Sequence, residues 1–198
     1  MPRPIAVLIL TVALLAGAAF PAVAGGPNNV VVANATSERP TVIRSSLDAS
    51  QTGGDEVTSA NIARAESKDC TGCRAVAVAL QAVLMTGNPS TVTPTNAAVA
   101  LNTNCTRCAT FAFAYQYVVS TGGPAHLSPD GYRAIAQLRR EAADLARSDL
   151  PFPELNARLE EVGARLKATV DEEIVRTGGW SRGGDVRERS DMTPDGRE

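Results

Sequence analysis

The chain carries a single histidine, His126, a single tryptophan, and few aromatic side chains, 4% in all. A lone histidine in "GGPAHLSPD", just ahead of a helix start, reads as a surface or capping residue, and paired-histidine metal sites have no carrier. No HExxH, GxSxG or P-loop occurs, so metalloprotease, hydrolase and nucleotide chemistry lack their motifs. An excess of one charge is also missing: 19 basic residues face 21 acidic ones, which favours neither nucleic acid nor an acidic polymer as partner. The expectation is a protein that is not an enzyme.

Long apolar runs are scarce as well. The only one, Ile5 to Phe20, follows Arg3 and runs into Pro21 and Ala22-Val23-Ala24 before Gly25. It is shorter than the ~20 apolar residues that span a bilayer. Residues 1–24 therefore read as a secretory signal with an A-x-A cleavage site. The mature chain is expected to be secreted, without a transmembrane segment, with an unidentified protein or an envelope component as its partner.

What is present in quantity is repetition. A shift of 35 residues superposes "DCTGCRAVAVALQAVLMTGNPS" (69–90) on "NCTRCATFAFAYQYVVSTGGPA" (104–125). Cys70 falls on Cys105, Cys73 on Cys108, Gln81 on Gln116 and Pro89 on Pro124; upstream, Asn61 falls on Asn96. This is an internal repeat, with units at 58–92 and 93–127. In the second unit Phe111, Phe113, Tyr115 and Tyr117 alternate with small or polar residues, a period of two that puts four rings on one strand face. "AVAVALQAVL" in the first unit reads as a strand buried on both faces. Each unit then reads as strand, cysteine turn, strand, that is, a β-hairpin.

From residue 128 the pattern changes. Ser128 can cap a helix that starts at Pro129 and carries Asp130 in its first turn. Tyr132, Ile135, Leu138, Ala142 and Leu145 form one stripe, and Leu155, Leu159, Val162, Leu166, Val170 and Ile174 form another after "SDLPFPE". The predicted fold is α+β: a mostly antiparallel sheet built from two CxxC hairpins within 25–127, with a helical hairpin over 128–176 packed on it. Residues 177–198, rich in glycine and charge, read as a disordered tail.

Three chemistries compete for Cys70, Cys73, Cys105 and Cys108. In an exported protein an even cysteine count points first to disulfides, within each CxxC or across the repeats. Zinc held by four thiolates is the second reading, against which stand the 31 residues between the pairs and the oxidising compartment. Thiol redox chemistry is the third, with Arg74 and Arg107 as nearby cations, but an active CxxC belongs at a helix start and these motifs lead into strands. The ring ladder Phe111, Phe113, Tyr115 and Tyr117 is either the core under the helices or, if open to solvent, a binding surface.

The motifs "CTGCRAVAVALQAVL" and "NAAVALNTNCTRCATFAFAYQYVV" resemble a group of secreted actinobacterial proteins with a doubled CxxC. They are also similar to the C-terminal soluble region of putative peptide zinc metalloproteases, over about residues 29 to 175. The resemblance implies an exported domain that is attached to, or acts near, a membrane peptidase. The catalytic zinc motif and membrane helices of those larger chains are missing, so the resemblance implies no peptidase activity. The function expected is that of a secreted binding or structural protein braced by disulfides. The alternative is a thiol-disulfide oxidoreductase or a zinc-binding accessory.

Overall fold

A computed structural model describes residues 26–176; the expected signal segment and C-terminal tail lie outside the described residues. Six long strands come first: β1 (Asn28–Ala35), β2 (Thr41–Gly53), β3 (Glu56–Thr71), β4 (Arg74–Thr86), β5 (Thr91–Thr106) and β6 (Ala109–Ser120). They form two three-stranded sheets, β1-β3-β5 (sheet A) and β2-β4-β6 (sheet B), and every pairing within them is parallel. Consecutive strands thus belong to opposite sheets. One strand in sheet A, a corner and one strand in sheet B make a rung, and three rungs stack into a short two-sided β-solenoid.

This corrects the expected antiparallel hairpins. The CxxC turns do not fold a strand back beside its neighbour; they carry the chain from sheet A to sheet B. The pairing partner of a residue is its repeat equivalent: Cys70 lies opposite Cys105, Asn61 opposite Asn96, and Gln81 opposite Gln116. Period-two alternation is the same in both arrangements, so it could not choose between them. The 35-residue identity could, because in a solenoid it brings like residues into direct register.

Small side chains let the sheets approach closely. Ala33, Ala63, Ala65, Ala75, Ala77 and Ala79 pack between them, and Val57, Val83, Met85 and Val118 extend that interior. Polar columns run through the same layer. Asn29 donates to Asn61 Oδ1 (2.9 Å), Asn61 to Asn96 Oδ1 (2.8 Å), and Gln116 to Gln81 Oε1 (2.9 Å). Asn96 and Gln81, at the ends of these chains of donors, give their N–H groups to the carbonyls of Ala114 and Pro27 (3.2 Å each), so the buried amides are satisfied from rung to rung.

The outer face of sheet B is apolar too, and β4 is buried on both faces as a central parallel strand requires. Helices α1 (Pro129–Arg147) and α2 (Phe152–Glu173) cover it. Ile135, Leu138, Leu155, Leu159, Val162 and Leu166 join Val76, Val78, Leu80 and Leu84 in one cluster. Ser128 caps α1, its hydroxyl accepting from Gly131 N at 3.0 Å. Strands β7 (Ala125–Leu127) and β8 (Ile174–Arg176) form a small antiparallel pair that ties the start of the helical hairpin to its end.

Candidate functional site: the cysteine corner

The corner between sheets needs backbone turned the left-handed way. Asp69 and Asn104 (φ 49° each), then Gly72 (φ 70°) and Arg107 (φ 55°), occupy equivalent places on successive rungs. Asp and Asn accept that region more readily than most residues and glycine does so without strain, whereas Arg107 bears it as an ordinary side chain. Asn104 Nδ2 donates to Asp69 Oδ1 (2.9 Å), and Gly72 N donates to Thr106 O (2.8 Å), so each corner is bonded to the next.

Each CxxC is closed by its own disulfide, Cys70–Cys73 and Cys105–Cys108. Stacking then brings the two disulfides together. Cys70 Sγ lies 3.3 Å from Cys105 Sγ and 3.8 Å from Cys108 Sγ. Oxidised sulfurs carry no proton, so these are van der Waals contacts between disulfides rather than hydrogen bonds. The first rung has no cysteine at its corner; Thr36 and Arg39 close that turn with reciprocal backbone bonds, and Thr36 O sits 3.6 Å from Cys73 Sγ. The sulfur column is therefore closed at one end and open at the other: Cys73 is 1% exposed and Cys70 8%, whereas Cys105 and Cys108 are half-buried.

Sulfurs of Cys70, Cys105 and Cys108 lie within 4.8 Å of one another, a spacing that a soft metal ion bridges. A disulfide offers no thiolate, so ligation there requires prior reduction. The two cations weighed for thiolate stabilisation part company: Arg74 turns to the helices, donating to Ser148 O (2.8 Å) and lying over the Phe152 ring.

The ring ladder lies on the helix-facing side of sheet B. Phe113 and Tyr117 are buried in the sheet–helix cluster, and Phe111 and Tyr115 pack against it partly buried. His126 stands exposed on β7. Sequence reasoning noted the recurring Asn and Gln but assigned them no role; their recurrence at the rung period was the available signal for the buried amide columns. Comparisons with protein-family models, with curated proteins and with solved structures give no match.

Proposed function

We propose that this is an exported structural or binding protein that works by assembly, the open end of its solenoid pairing with a second copy. One observation carries the reading: β5, the last strand of sheet A, runs sixteen residues without a charged side chain. Among the described residues no strand pairs with its free edge. Ala98 and Ala100 share the inward face of β5 with Asn96, yet both are exposed. In the first rung, the positions of β2 facing inward by register include Arg44, Ser46, Asp48 and Ser50, side chains suited to water, and β1, the other edge of sheet A, is also uncharged but only eight residues long. A solenoid end needs such polar capping, and a long neutral edge invites strand addition.

A second copy meets the need by a two-fold arrangement in which β5 pairs antiparallel with its own equivalent, extending sheet A to six strands. Export is supported by the N-terminal apolar segment and by the paired cysteines. The resemblance to secreted double-CxxC chains supports a place near the cell envelope. Light scattering on the full chain after size exclusion tests the assembly. A dimer is expected, and Ala98→Lys with Ala100→Lys is expected to give a monomer with an unchanged far-ultraviolet circular dichroism spectrum at 25 °C and a melting point that no longer depends on protein concentration. A wild-type protein that stays monomeric at high concentration removes the reading.

A further inference from the structure

We propose that the two stacked disulfides act as one thiol–disulfide exchange unit, in which a dithiol reductant reacts at Cys105–Cys108 and the electron pair passes through a cross-rung Cys70–Cys105 bond to Cys70–Cys73. The inference rests on the sulfur geometry and is independent of assembly through β5. Exchange proceeds by attack of a thiolate on a disulfide sulfur, and its rate follows access. Access is graded here, since the end-rung pair is half-buried and the inner pair is nearly sealed. An external dithiol meets Cys105 and Cys108 first.

The steps balance. The external dithiol is oxidised to its disulfide, and the Cys105–Cys108 bond breaks to give two thiols. Cys105, as thiolate, then attacks Cys70 Sγ, which lies 3.3 Å away in the oxidised form. The Cys70–Cys105 bond forms, the Cys70–Cys73 bond breaks, and Cys73 leaves as a thiolate that takes up the proton lost by Cys105. Cys108 attacks Cys105 Sγ in turn, restoring Cys105–Cys108 and releasing Cys70 as a thiol. The net result is a reduced inner pair and an oxidised outer pair. The cross-rung bond requires little movement of the backbone, because Cys70 and Cys105 are register partners in a parallel sheet. Neighbouring strands lie about 4.8 Å apart, inside the roughly 4.4–6.8 Å between Cα atoms that disulfides span.

Three readouts test the proposal on the full chain. Cys108→Ser leaves Cys105 as a lone thiol beside an intact Cys70–Cys73 disulfide. Trypsin cuts after Lys68, Arg74 and Arg107, so Cys70 and Cys73 share the peptide 69–74 and Cys105 lies on 75–107. After acid quench and alkylation of the native variant, the expected map contains 69–74 linked to 75–107, with label divided between Cys73 and Cys105. Label on Cys105 alone overturns the proposal. With Cys105→Ser and Cys108→Ser together, reduction of Cys70–Cys73 by dithiothreitol is expected to slow by about tenfold or more, because the accessible thiolate is gone. An unchanged rate in the folded variant also overturns it. If the double variant does not fold, wild-type protein given one equivalent of dithiothreitol and quenched over a time course decides instead: label that appears first on Cys105 and Cys108 and then moves to Cys70 and Cys73 supports the exchange, and label that stays where it first appears sinks it.

Discussion

Asn61 is fully buried between the sheets and touches both of them. Its oxygen accepts from Asn29, and its Nδ2 lies within bonding distance of Ala79 O (3.1 Å), Asn96 Oδ1 (2.8 Å) and Tyr115 O (3.1 Å). Two N–H bonds serve three acceptors, and with the bond from Asn29 the amide ties β3 to four other strands of the two sheets at once. Truncation to alanine strands these partners where water does not reach, and a buried group left unpaired costs more than the net value of a made bond. Asn61→Ala is expected to lose about 2–3 kcal/mol in urea unfolding. Asn96, half-buried at the open rung, can be rehydrated when its neighbour changes, so Asn96→Ala is expected to lose less than about 1 kcal/mol. Equal losses at the two positions would show that the column does not work through burial.

At the scale of elements, the docking of α2 turns on Gly163, which faces the Tyr115 ring of β6. A Cβ built there meets ring atoms at 2.7, 2.8 and 3.0 Å. In an isolated helix Gly→Ala gains about 1 kcal/mol, but overpacking costs about 1–3 kcal/mol. Gly163→Ala is expected to destabilise the protein by about 1 kcal/mol net in urea unfolding, and Gly163→Ala on a Tyr115→Ala background to stabilise it by a similar amount. A stabilising single variant would mean that the ring swings away at no cost.

The helices were legible in the sequence because their signals are local: Ser128, Pro129 and Asp130 at one start, and stripes at steps of three and four. The strands were legible as strands for the same reason. Their partners were not, since pairing across a rung is a contact 32 to 35 residues away that alternation does not encode. The cysteines were legible as a set; the approach of Cys70 to the second pair was not, because it exists only once rungs stack.

For the whole molecule, the question is whether the disulfides or the stacking hold the solenoid. Each disulfide closes a loop of only four residues, and the chain-entropy model assigns such a loop about 2 kcal/mol. Neither bond joins one rung to another. The joins are the parallel ladders, thirteen register pairs between β2 and β4 and fifteen between β3 and β5, together with the amide columns and the helix-covered face of sheet B. Three rungs are also about the fewest that let a repeat bury a continuous core. Reduction of both disulfides should therefore weaken the fold without dissolving it, by about 4 kcal/mol at most. For a chain of this size that corresponds to a fall in Tm of roughly 8–16 °C, with the far-ultraviolet circular dichroism at 25 °C unchanged. Calorimetry with and without excess reductant measures the fall, and intact mass after alkylation confirms that all four thiols were freed. If reduction abolishes the β signal at 25 °C, the corners rather than the ladders carry the stability. The cysteines would then brace the whole solenoid, and not only the turn each pair closes.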